Sequence, residues 1–302
     1  MRRQRFVLGG LLALATCLLL GPTLAAAGPV VVQAAGPDAE SIQPVVDVFR
    51  EALGDLNPNV AGSFPTGRRE INWDGVPDNF AAPNLLPPDF FNVNSPRGAV
   101  FETPGSGVQV SANLVNPTNT PIEFGNINPT YPDIFRTFSP QRLFTALDST
   151  ITVVHFFVPG SNTPATVSGF GAVFTDVDIP TSTKIEYFDA HDKLLFRAFV
   201  QPLPKQDETL SFLGVRFDEG ERIAKVRITS GNAKLSPTTF DGKSNRRDND
   251  KDDDEDNDKD DDGDNDKDKD KDKDDDKNDK SDRRVVDLVV MDDFIYGEPQ
   301  AR

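Results

Sequence analysis

The chain has 302 residues, with 32 Lys and Arg against 49 Asp and Glu and a formal net charge of −17. Such an anionic field disfavours nucleic acid and anionic membranes as partners and leaves cations, neutral glycans and basic proteins open. The one cysteine, Cys17, falls in a leader-like segment. The chain beyond that segment therefore has no disulfide and must rest on a sizeable core, with a metal as the other available staple.

Arg2, Arg3 and Arg5 precede an apolar stretch over 6–20 and the small residues 25–27, the pattern of a secretory leader over 1–27. Cleavage is placed after Ala27, with Ala35 as the alternative, and the expected location is secreted or periplasmic. No second segment is long enough to span a membrane. An N-terminal segment, 28–57, follows. Within it Ile42, Val45, Val46, Phe49 and Leu53 keep helical spacing, so one helix is expected over 38–54, with Asp38 or Ser41 to cap it and Gly54 to end it.

Residues 58–140 are rich in Pro, Asn, Gly and Phe and read as a loop-rich part with short strands, among them 98–101 and 107–111. From 141 the β signal strengthens. Strands are expected at 142–147, 150–158, 166–177, 183–189, 193–201, 209–217, 222–230 and 285–297, with Asp189-Ala-His-Asp192 as a hairpin turn. Many strands at this spacing without helices between them argue for an antiparallel sandwich, built from 141–240 plus 285–297. Between its last two strands lies an Asp/Lys-rich run, 241–284, with 22 acidic and 13 basic residues. It reads as a long disordered insertion, a tolerable one because closure entropy grows slowly with loop length. Asp258, Asp260, Asp262 and Gly263 match the opening of an EF-hand loop, but Lys269 stands where the bidentate Glu belongs. The insertion is thus expected to attract cations without an ordered site.

The succession Gly169-Phe-Gly-Ala-Val-Phe-Thr-Asp-Val-Asp178, Ile185-Glu-Tyr-Phe-Asp189, Phe212-Leu-Gly-Val215, Ile223-Ala-Lys-Val-Arg-Ile228 and Met291-Asp-Asp-Phe-Ile-Tyr-Gly297 resembles the C-terminal half of bacterial secreted jelly-roll domains. Those are similar to galactose-binding-like and carbohydrate-binding modules, and the likeness covers 166–297. It departs from them in the long insertion and in His191-Asp192, where such turns carry glycine. The resemblance implies an all-β, antiparallel jelly-roll β-sandwich and a structural calcium.

Two pairs of carboxylates stand at strand ends, where calcium would draw on carboxylate and carbonyl oxygens. They are Asp292 with Asp293, and Asp176 with Asp178. Alternation along a strand sends Asp292 and Asp293 to opposite faces, so one of them is expected to ligate and the other to cap a turn. Trp73, with Arg69 and Asp74 beside it, is the best local constellation for a sugar-stacking platform; the competing reading makes Trp73 a buried anchor. Hydrolytic chemistry has thin support, since no nucleophile elbow, cysteine nucleophile or metal-protease helix is present and His155 reads as a strand residue.

The expectation is a secreted, monomeric, non-catalytic binding protein for extracellular polysaccharide or a cell-surface component, with calcium as the expected cofactor. A structural or matrix-interaction protein that uses the acidic insertion as a cation-responsive spacer is the alternative, and a glycan hydrolase the third.

Overall fold

The computed structural model describes residues 28–242 and 285–302. The leader-like segment 1–27, the EF-hand-like stretch and all of the acidic run after Gly242 lie outside the described residues. In chain order the elements are β1 (Val30–Gly36), α1 (Ala39–Leu53), β2 (Arg68–Ile71), α2 (Phe90–Val93), β3 (Ala99–Glu102), β4 (Gly107–Val110), β5 (Phe144–Leu147), β6 (Ile151–Phe156) and β7 (Ala165–Thr166). They continue with β8 (Gly169–Thr175), β9 (Lys184–Phe188), β10 (Leu194–Phe199), β11 (Leu210–Arg216), β12 (Lys225–Thr229), β13 (Val290–Gly297) and β14 (Gln300–Ala301).

These strands form two large antiparallel sheets and a two-stranded one of β7 and β14. The first large sheet runs β1-β11-β8-β13-β5-β4, with β2 added beside β13, and the second runs β10-β9-β12-β6-β3. Their inner faces share one core, in which Phe170, Phe174, Phe294 and Tyr296 of the first sheet meet Val154, Phe156, Ile185 and Val226 of the second. On the outer face of the first sheet lies α1, whose Ile42, Val46, Phe49 and Leu53 pack on Val173, Leu210, Phe212 and Ile295. Strands β8, β11 and β13 are therefore covered on both faces, and for that reason they read as apolar runs rather than alternations.

Helix α1 begins where expected, because the Asp38 carboxylate accepts the Ser41 N–H at 2.9 Å, and it ends at Gly54, whose φ of 95° admits only glycine readily. Its close approach needs two more glycines: a Cβ on Gly214 would sit 2.7 Å, and one on Gly171 2.9 Å, from the Phe49 ring.

Each strand expected from Arg142 onward is present within a few residues of its expected bounds. Strands β1, β2 and β14 were not expected, and β1 is the longest of them. Val30–Gly36 pairs with β11 along its whole length, Val30 opposite Arg216 through Gly36 opposite Leu210. Leader cleavage after Ala35 would remove this strand, whereas cleavage after Ala27 leaves it whole. Among the described residues no helix is long and apolar enough to cross a membrane.

Candidate metal centre

Strand β8 ends at Thr175, and the next residue turns the chain sharply. Asp176 adopts φ 66°, a left-handed conformation that side-chain-bearing residues rarely take, and its N–H donates to the Thr209 carbonyl at 2.9 Å. The turn drives its carboxylate inward. Asp176 is fully buried, and among the described residues neither of its carboxylate oxygens has a hydrogen-bond partner. Unpaired buried carboxylates are rare because desolvating the charge is costly.

Two further carboxylates face it. Asp207 lies in the loop between β10 and β11, and Asp241 closes the segment that leads out of β12. One oxygen from each of Asp176, Asp207 and Asp241 lies within 4.8 Å of the others. Among the described residues no Lys or Arg forms an ion pair with any of the three. Asp207 is exposed, so the cluster opens to solvent on its side, while Asp241 is half-buried. The Thr209 hydroxyl beside it is also buried and unpartnered.

An outer pair frames this triad. Asp287 accepts N–H bonds from Asp178 (3.1 Å) and Ile179 (3.3 Å) and the Ser182 hydroxyl proton, which fixes the turn after Asp176. Asp178 accepts the Lys205 N–H at 3.1 Å. Asp241 accepts the Leu288 N–H at 2.7 Å, and the Gly242 N–H donates to the Val286 carbonyl at 3.0 Å, so Asp241 and the segment 286–288 meet at the cluster.

Burial pushes the Asp176 carboxyl up to about 9, with repulsion from Asp241, Asp178, Asp207 and Asp287 acting in the same direction. Asp241 is pushed up to about 7 by burial, against the Leu288 N–H that favours its charge. Burial also raises Asp178 and Asp287. Without a cation these carboxyls bind protons more tightly folded than unfolded, so their contribution to stability is full at acid pH and is lost as pH rises through the folded values. Glu123, pushed up to about 7 by burial and by Glu208, adds the same sign. In chelator this contribution to the thermal midpoint is therefore expected to be lost between about pH 4 and about pH 9, and calcium is expected to flatten that fall. A melt series with and without calcium checks this.

Three convergent carboxylate oxygens, without nitrogen or sulfur donors, form a hard donor set that suits calcium, magnesium or manganese and not the thiolate- or imidazole-seeking metals. Of the expected ligands, Asp176 stands in this set and Asp178 beside it. Asp207 and Asp241 were missed, one in a loop without local pattern and the other counted with the acidic run it begins.

The remaining expected site residues lie elsewhere. The register between β13 and β8 shifts between Met291 and Phe294, which inserts one extra residue at Asp292-Asp293. This bulge corrects the expectation of opposite faces, since the Ser139 hydroxyl reaches both carboxylates, at 3.3 Å and 2.7 Å. Asp292 also accepts the Phe138 and Ser139 N–H groups, and Asp293 accepts from Arg50 at 3.3 Å. Burial raises both carboxyls, Asp293 to about 6. Their oxygens are occupied by N–H and O–H donors, which makes them an anchor for the 138–140 loop rather than cation ligands.

Trp73 is 1% exposed, stacked on Phe144 at 4.2 Å, and donates its indole N–H to the Asp292 carbonyl at 2.9 Å. It is a core anchor, and no ring face is left for a sugar. Arg69 is buried in a two-pronged pair with Glu298, at 2.6 and 2.8 Å. Asp74 accepts the Gln141 and Arg142 N–H groups and holds a turn. These three residues do not form a binding platform. His155 lies on β6, 3.0 Å from Glu102 and part-exposed, as a strand residue would be.

No family model, curated protein or solved structure matches the chain.

Proposed function

We propose that this chain is an exported, non-catalytic binding protein whose β-sandwich, of jelly-roll type, is fastened by a divalent cation, calcium fitting best, held by Asp176, Asp207 and Asp241. The observation that carries this is the Asp176 carboxylate, fully buried, facing two other carboxylates and without a hydrogen-bond partner among the described residues. A cation supplies the missing charge. It also ties the end of β8, the β10–β11 loop and the root of the acidic run together, the work a disulfide would do in a chain that has none. Calcium takes six to eight oxygens in adaptable geometry, so carbonyls and water complete the shell around an open triad more readily than they would for magnesium.

The test is thermal unfolding in calcium, magnesium and chelator. At a calcium concentration about 100-fold above Kd, binding adds about 2.7 kcal/mol, or about 5–10 °C for a domain of this size. An unchanged midpoint would remove the cation reading.

The glycan reading has one observation in its favour, and it is not Trp73. A cleft of about 440 Å³ between α1, β2 and the β13 bulge is lined by Glu70, Asn72, Arg97 and Asp293 beside Phe138. Polar groups of both hydrogen-bonding kinds around an apolar wall suit a polyhydroxylated ligand.

A further inference from the structure

Four strands stand at the ends of the two large sheets, and their outer edges differ in how they are protected. Free edges invite pairing with another chain, and proteins usually blunt them with charge, proline, a bulge or a covering segment. The β4 edge is covered, because Ala82 and Leu86 donate their N–H groups to Val110 and Val108. Beside β3, the Phe101 N–H donates to the Pro88 carbonyl. The β10 edge carries Arg197 and a register shift between Leu194 and Phe196.

Among the described residues strand β1 has none of these protections. Its sequence, VVVQAAG, holds no charge and no proline in a chain of net charge −17. Its seven residues keep an unbroken register with β11, and among the described residues it pairs with no other strand. Val30 and Val31 are 41% and 40% exposed, and Gln33 is exposed. A straight, neutral edge of this length is a template for strand addition.

We infer that β1 is a homodimer interface, in which the β1 edges of two copies pair antiparallel about a two-fold axis through Gln33 and join the two sheets into one. The sequence is complementary to itself in that register. Val30 faces Gly36 of the other copy, Val31 faces Ala35, Val32 faces Ala34, and the two Gln33 carboxamides face each other, where they can exchange hydrogen bonds. Large side chains thus meet small ones along the seam. A second copy also answers the charge problem. Two strongly anionic bodies repel, and the neutral β1 edge is where they can approach with no like charges in the seam. The expectation of a monomer gives way, in this reading, to a two-fold dimer.

The experiment uses the chain without its leader, which contains no cysteine. Light scattering after size exclusion should give twice the chain mass. Gln33→Lys, which sets like charges opposite each other only in the dimer, should halve that mass and leave the thermal midpoint of the monomer unchanged. Gln33→Cys should form a disulfide-linked dimer on mild oxidation, because Cα atoms directly opposite in an antiparallel pair lie within disulfide range. Val48→Cys, on the exposed side of α1, should not. A monomeric mass up to the highest soluble concentration, or cross-linking of Gln33→Cys no faster than of Val48→Cys, would overturn the inference.

Discussion

Replacing Asp176 with Asn is expected to raise the thermal midpoint of the chelated protein and to abolish its response to calcium. The two effects have one cause. Without a cation, the buried carboxyl is pushed up to about 9 by burial and by four neighbouring aspartates, so at neutral pH the fold carries either a proton it must capture or a charge nothing balances. The carboxamide has nearly the same shape and removes that liability, but it contributes no charge to a cation. A variant with an opposite ordering, less stable in chelator yet still responsive to calcium, would mean that Asp176 serves the turn after β8 and that any cation sits elsewhere. Asp287→Asn provides the contrast. That carboxylate already accepts bonds from the Asp178 and Ile179 N–H groups and from Ser182, so the variant should weaken the turn and keep a calcium response.

The other large effect is expected at Arg69, through stability alone. Its guanidinium and the Glu298 carboxylate are 0% and 1% exposed, and the same guanidinium donates to the carbonyls of Pro58, Gly62 and Pro96. Arg69→Met removes the only counter-charge of a buried carboxylate, which keeps the Asn57 and Phe64 N–H donors alone, and breaking such a pair costs about 3–5 kcal/mol. The midpoint should fall by about 6–20 °C, since each kcal/mol is worth about 2–4 °C in a domain of this size. Joining it with Glu298→Leu should restore part of the loss, because the stranded charge goes with it. Chemical denaturation of the two single variants and the double variant checks this. Strictly additive losses would show that the two groups do not act as a pair. Calcium affinity should be unchanged in all three proteins, because the pair lies outside the aspartate cluster.

The fold was largely legible because its signals are local. The spacing of Ile42, Val46, Phe49 and Leu53, with Asp38 ahead and Gly54 behind, describes a helix with one apolar face. The apolar runs at 169–175 and 210–216 describe strands that are covered on both sides. Strand β1 was not legible, because its small, half-exposed residues follow a leader-like segment and gain their strand character only from pairing with β11. The site was half legible. Asp176 stood out as a carboxylate at a strand end, but Asp207 and Asp241 reach it only through the topology, one from the β10–β11 loop and the other from the far side of β12. Asp292 and Asp293 misled because their meaning depends on the bulge, and a bulge is a property of the register between two strands rather than of either sequence. Trp73 was open to two readings, and its burial decides for the anchor. A lone tryptophan among charges looks like a surface platform, yet Arg69 pairs with the buried Glu298 and Asp74 with the Gln141 and Arg142 N–H groups, while the indole faces the core.

The central claim is that the sandwich holds a cation at Asp176, Asp207 and Asp241. Its most direct test is a calorimetric titration of calcium into the full chain and into Asp176→Asn, side by side, at an ionic strength of about 0.15 M, where diffuse attraction to exposed acidic residues is screened. Both proteins carry the same acidic run, so any weak binding there appears equally in the two isotherms. The account predicts a stoichiometric component of one ion per chain in the wild type that is missing from the variant. Superimposable isotherms would contradict it.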